Sequence, residues 1–192
     1  MKLLSTSEWG AIQVNTRHLR RTTGQGIVLH HTATPNAMAR TGAAEEERAA
    51  ALVRQIQRWH MGPPKRWLDT GQNFTVSRGG VICEGRTGSW DAAREGKVLQ
   101  GAHAGNVKIN QTHFGIESEG LYMDVEPPAA LIQALIELCA HLSLWSGCQA
   151  HALYPHRQFR QTLCPGDQIV ALLPDLREAI RARKLELLEA GS

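Results

Sequence analysis

What the 192-residue chain lacks narrows its class before any motif is read. No apolar run approaches the roughly 20 residues needed to cross a bilayer, so a membrane span is not expected. The N-terminal MKLLSTSEWGAIQV has a lysine and two leucines, but its apolar part is far too short for a signal peptide. The chain as given is therefore expected to be soluble with no export address, and action outside a cytoplasm would need another route of release. There is no repeat and no low-complexity tract. No run of Lys and Arg is interleaved with aromatics, so nucleic acid is not an expected partner. Cysteine is scarce: Cys83, Cys139, Cys148 and Cys164 are too few in this length for a disulfide scaffold. If one of them binds a metal, at most one disulfide can form. Cys139 and Cys148 are the nearest pair, and two buried thiols or a bridge would both fit.

What is present suits one globular domain. A hydrophobic share of 42% supports a full core. A net charge of +3 with a pI near 8.8 is mildly basic and favours an anionic or polymeric partner such as nucleic acid or cell wall.

Periodicity gives the coarse order. GIVLHH, Gly26 to His31, reads as a buried strand closed off by Pro35. Ala43 to Met61 reads as a helix, with Glu45, Glu46 and Glu47 suiting its positive end and Leu52, Val53, Ile56, Trp59 and His60 on one face. Gln72 to Ser77 and Val81 to Arg86 flank Arg78-Gly79-Gly80 as a β-hairpin. Further strands are expected at Leu99 to His103 and His113 to Glu119. A helix from Pro128 carries Leu131, Leu135, Leu138, Leu142 and Trp145 on one stripe and stops at Gly147. A last helix spans Gly166 to Leu188, with Pro174 bending or splitting it. Interleaved strands and helices predict a single α/β domain with a central mixed sheet flanked by helices. Its extent is 1–180, with 181–192 a charged tail fraying into solvent.

Two histidines close the first strand, and successive strand side chains point to opposite faces. One of His30 and His31 therefore faces a site at the strand's end while the other packs behind it. Far downstream, His156 and Cys164 stand eight positions apart, with Pro165-Gly166 breaking the chain after the cysteine. Imidazoles and a thiolate are good zinc ligands, and three of them leave a fourth position open. The spacing alone matches no compact zinc-finger pattern.

Four segments occur in order: GIVLHHTATP, WLDTGQNFTVSRGGVICEGR, GAHAGN followed by GIESEG, and HRQFRQTLCPGD. Together with SEWGA near the start, they make the chain resemble the zinc-dependent N-acetylmuramoyl-L-alanine amidases. That superfamily also holds the phage lysozyme-type amidases and the peptidoglycan recognition proteins. The resemblance runs from about Ser7 to Leu176. It implies that zinc is held by His30, His156 and Cys164, leaving His31 as a structural residue behind the first ligand. It also implies Glu117 as the group that moves protons, with Glu119 as the alternative of the same strand parity. Thr162, two residues ahead of the cysteine, falls where relatives support the developing oxyanion. Gln72 stands where many active relatives carry a tyrosine. An amide can donate a hydrogen bond but cannot exchange protons, so Gln72 is read as a positioning or substrate contact. His103 matches a family histidine that is not a ligand and contacts the intermediate or peptide, or serves structure. Trp67, Trp90 and Asn106 flank the cleft as candidate substrate contacts, with core packing the alternative for the tryptophans.

The implied activity is hydrolysis of the amide between N-acetylmuramic acid and L-alanine, on peptidoglycan or muropeptides, by a monomer. It would act on the cell wall as a phage enzyme released at lysis, or as a bacterial cytoplasmic or exported amidase. The competing expectation is a recognition module that binds peptidoglycan without cutting it, a branch that usually lacks the cysteine ligand. A zinc nucleobase deaminase would need His-x-Glu and Pro-Cys-x-x-Cys, and neither is present. A purely structural zinc would need a fourth protein ligand.

Overall fold

The computed structural model describes residues 1–190. In chain order the strands are β1 (Leu3–Leu4), β2 (Arg21–Thr23), β3 (Gly26–His31), β4 (Phe74–Val76), β5 (Ile82–Glu84), β6 (Lys97–Leu99), β7 (His113–Ser118) and β8 (Leu153–Pro155). Six of them form one sheet in the order β1-β5-β4-β7-β3-β8, and β2 and β6 form a separate antiparallel ribbon. Every neighbouring pair in the main sheet is parallel except the β4–β5 hairpin. The mixed α/β architecture is the expected one. The strand expected at Leu99 to His103 instead ends at Leu99, because Lys97–Leu99 pairs with Arg21–Thr23 and the following residues turn away as a loop.

Alternation along the strands gives the sheet two unlike faces. One face carries Ile27, Leu29, Phe74, Val76, Phe114 and Ile116. It packs against the leucine stripe of the helix Ala129–Ser146 and against Leu173, Leu176 and Ile180 of the last helix. Leu131, Leu135, Leu138 and Leu142 are at most 1% exposed, so truncating one to Ala costs about 2–5 kcal/mol. That 18-residue helix is long and apolar enough to cross a membrane by length and composition, which counting unbroken apolar runs passes over. Its stripe is the floor of the core.

The other face carries Val28, His30, Gly115, Glu117 and Thr75, in register across β3, β7 and β4. At the β1–β5 end α1 (Gly42–Met61) covers it, laying Ala49, Ala50 and Val53 on Leu4, Cys83 and Trp9, and His103 packs over it at Gly115. The carboxyl ends of β3, β7 and β8 stay uncovered, the usual position for a site in a largely parallel sheet. α2 (Ser89–Arg94) and α3 (Val107–Thr112) lie on the connections flanking β6.

A buried ionic knot ties α1 to the sheet. Arg48 pairs with both Glu45 and Glu119, and Glu45 also accepts hydrogen bonds from Ser77 Oγ (2.6 Å) and the Gly79 amide (2.9 Å). Burial opposes the Glu45 charge, but the bonds from Arg48 and Ser77 prevail and hold its carboxyl at about 2. After α4 (Ala129–Ser146), α5 (Asp167–Ala171) and α6 (Leu173–Ala190) follow as separate helices. Pro174 splits them, sitting in the first turn of α6 where no amide is needed. Residues 181–190 do not fray. They continue α6, with Arg183 Nε on Glu137 (2.7 Å) and Lys184 Nζ on the Cys148 carbonyl (3.0 Å). The rest of the expected tail, 191–192, lies outside the described residues. All four cysteines are free thiols, so Cys139 and Cys148 form no bridge.

Candidate metal centre and cleft

The uncovered end of the sheet is a cleft of about 520 Å³. Register places its central groups. His30 on β3 pairs with Glu117 on β7, and Glu117 with Thr75 on β4, so an imidazole and a carboxylate emerge side by side on one face. β8 pairs Pro155 with Leu29, which delivers His156 at the next position beside His30, with ring centroids 4.3 Å apart. Cys164 arrives on the loop beyond. Its carbonyl accepts from the Arg157 amide (3.0 Å), and Arg157 Nη1 reaches Asp167 (2.7 Å), closing the loop back on itself. The His31 amide donates to Cys164 Sγ at 3.4 Å.

One ligand atom each from His30, His156 and Cys164 lies within 4.8 Å of the others. His30 Nδ1 faces Cys164 Sγ at 3.8 Å, and His30 Nε2 lies 3.0 Å from His103 Nδ1. His156 meets the backbone of Ala104, and its Nε2 is buried with no hydrogen-bond partner. Such an orphaned nitrogen is costly unless something fills its lone pair. Burial pushes both imidazoles below their ordinary range, His30 further under the influence of His103 and His156, so both stand neutral with a lone pair to give. Burial also pushes the Cys164 thiol up to about 12, where only a cation beside it would hold a thiolate. Two neutral imidazoles, one thiol and a cleft on the fourth side fit a three-ligand zinc site.

Glu117 stands half-buried on the cleft floor. Loss of water around it raises its carboxyl to about 7, with Lys65 pulling the other way. A carboxyl poised near neutral pH can both take and return a proton. Glu119, the alternative, lies one residue past the end of β7. It is buried with both oxygens on Arg48 and a further bond from the Arg78 amide (2.8 Å), outside the cleft lining. Thr162 lines the cleft. Its Oγ1 accepts from the Cys164 amide at 3.2 Å, leaving the hydroxyl proton free to donate. His31 lines the cleft as well, with its Nδ1 accepting from the Tyr122 amide (3.4 Å).

Three of the candidate contacts lie outside the cleft lining. Gln72 is fully buried and outside the cleft lining, and its Nε2 donates inward to Thr75 Oγ1 at 3.0 Å. It approaches the floor only through Thr75. Asn106 caps α3, its side chain accepting from the Ile109 amide at 3.2 Å. Trp90 packs edge-on against Trp145, with ring centroids 5.2 Å apart, where α2 meets α4. Trp67 does line the cleft, tilted against His60 (4.8 Å) with Lys65 Nζ 4.7 Å over its ring. His103 is in the lining too, though both ring nitrogens are engaged by protein: Nδ1 with His30 and Nε2 with the His113 carbonyl at 3.2 Å. Burial holds it neutral, with a pKa near 3.

Sequence reasoning missed Trp59, Lys65 and Arg160 on the walls. Trp59, expected on one face of α1 with Val53 and Ile56, is 50% exposed at the rim. The one available signal was its position next to His60 at the helix end. Lone cations in loops carry none.

A family model described as N-acetylmuramoyl-L-alanine amidase matches residues 20–167. The N-acetylmuramoyl-L-alanine amidase of Homo sapiens is 30% identical over 149 residues, covering 77% of this chain and 23% of that protein. Peptidoglycan recognition protein 1 of Bos taurus is 29% identical over 177 residues, covering 89% and 82%. The structure of wild-type Drosophila PGRP-LB superposes with a TM-score of 0.71 at 26% identity, covering 88% of this chain and 91% of that one.

Proposed function

The chain belongs to the N-acetylmuramoyl-L-alanine amidase family, and from that premise we propose that it hydrolyses the amide between N-acetylmuramic acid and L-alanine in a zinc-dependent reaction. One observation carries the reading: three ligand atoms within 4.8 Å of one another, beside a carboxylate in strand register with the first of them. His30, His156 and Cys164 would hold the ion. Bound zinc supplies Lewis-acid polarisation of the scissile carbonyl and a lowered pKa for water.

The remaining work falls to the chain's own side chains. Glu117, as carboxylate, takes the proton of the attacking water and hands it to the departing alanine nitrogen. The Thr162 hydroxyl donates to the oxygen that gains charge. Trp59 and Trp67 form aromatic walls for sugar and peptide, and Lys65 and Arg160 attract the carboxylates of a stem peptide.

The test is digestion of purified peptidoglycan, with and without a chelator, followed by mass spectrometry. New L-alanine amino termini on intact glycan strands, lost with the chelator, are expected. New reducing sugar ends without new amino termini would sink the amidase reading. Binding without cleavage is the competing reading, supported by the bovine relative's being a recognition protein. Tight pull-down with no release of either kind would favour it.

A further inference from the structure

We infer that His103 is a positioning residue that fixes His30 in the Nε2–H form and thereby presents His30 Nδ1 as the metal-facing atom. The inference rests on the metal-centre proposal above, and the proton inventory of a short chain of atoms carries it. The His113 carbonyl can only accept, so the hydrogen on the 3.2 Å contact belongs to His103 Nε2. A neutral imidazole has one N–H, so His103 Nδ1 is an acceptor. The 3.0 Å contact to His30 must then carry the proton of His30 Nε2. What remains on His30 is the Nδ1 lone pair, the atom that faces Cys164 Sγ at 3.8 Å.

The surroundings are built around that ring. A Cβ on Gly115 of β7 would stand 2.4 Å from His103 Cγ, and one on Gly101 would stand 2.7 Å from His103 Cδ2. Real Cβ atoms do not approach so closely, so two glycines clear the slot the imidazole occupies. Backbone bonds pin the loop on both sides of it: the Ala102 amide to the Gly71 carbonyl (2.7 Å) and the Ala104 amide to Asn110 Oδ1 (2.8 Å). The same short loop also meets His156, through the backbone of Ala104. Outer partners of this kind set the tautomer and ring angle of a metal-binding histidine.

The experiment uses the full chain with 15N-labelled histidine and compares His103→Ala with His103→Asn, whose amide oxygen can stand where Nδ1 stands. Two readouts are taken. One is zinc affinity by competition with a chromophoric chelator; the other is the tautomer of His30 in metal-free protein, from long-range proton–nitrogen correlations. Wild type is expected to show His30 as Nε2–H. The alanine variant is expected to mix tautomers and lose about 10–100-fold in zinc affinity, with asparagine recovering most of it. An alanine variant with native affinity and an unchanged His30 tautomer would overturn the inference. If the alanine variant lacks native amide dispersion, His103→Asn is compared with His103→Gln, whose oxygen matches Nε2 instead. Stronger zinc binding by asparagine supports the inference, and equal binding refutes it. A wild-type chain that binds no zinc would refute the metal centre itself, which separates the two failures.

Discussion

Replacing Glu117 by Gln is expected to do two opposite things. The carboxyl is raised from its ordinary 4.5 to about 7 by loss of water on the cleft floor. A raised carboxyl holds its proton in the folded chain after the unfolded chain has released it. Between pH 4.5 and 7 the folded state therefore binds more protons, and stability falls as pH climbs through that window, then levels off. Were the group sealed from water, the full displacement would be worth about 3 kcal/mol. The open cleft screens it, and about 1–2 kcal/mol is the expected fall. A neutral glutamine shows no such fall. In metal-free protein, Glu117→Gln should match wild type near pH 4 and exceed it at pH 8, by about 2–8 °C in melting temperature for a chain this size. The same variant, loaded with zinc, should lose about 10²–10⁴-fold in turnover on a defined muropeptide. Thermal melts from pH 4 to 9 for both proteins isolate the effect, because the neighbouring histidines titrate in both and cancel in the difference. Parallel stability curves would refute the argument that the floor disfavours the charge. A near-native rate would remove Glu117 from the proton transfer.

Cys164→Ala should lose most bound zinc by elemental analysis while keeping native far-UV circular dichroism. His151→Ala, at an exposed position, should keep its zinc, and the reverse pattern would break the ligand assignment. Thr162→Ala should cost about 10²-fold in single-turnover rate with metal content unchanged, as loss of one oxyanion donor does. Arg48→Ala strips the counter-charge from Glu45 and Glu119 at once, and urea melts should show a loss of about 3–5 kcal/mol. A loss below about 1 kcal/mol would mean that water replaces the guanidinium.

The parts of the site legible in the sequence were those tied to chain order. His30 closes a strand that composition marks, and His156 and Cys164 sit in a segment with its own motif, so all three stand together as expected. The leucine stripe of α4 was equally plain, since a buried face at helical spacing leaves a periodic trace. Strands β1, β2 and β8 left none, because two or three residues held by partners far along the chain show no period. Glu119, the alternative, keeps the side of the sheet that parity gives it, but Arg48 of α1 occupies both its oxygens, a tertiary partner that no local spacing announces. Gln72, Asn106 and Trp90 sit near the right motifs, but the direction of each side chain is settled by tertiary neighbours such as Thr75 and Trp145. The same holds for the wall residues Trp59, Lys65 and Arg160.

The two halves of the candidate centre rest on supports of unequal stiffness. His30 and Glu117 sit on β3 and β7, each hydrogen-bonded to a strand on both sides, and amides in such central strands exchange with solvent only on near-global opening. Cys164 sits on a loop closed by a handful of bonds between Arg157, Leu163 and Asp167. Segments of that kind open locally at far lower free energy. Deuterium uptake should accordingly be fast at residues 157–166 and slow through β3 and β7. An ion would leave by the swing of that one arm, and the strand-borne half would stay assembled to receive the next.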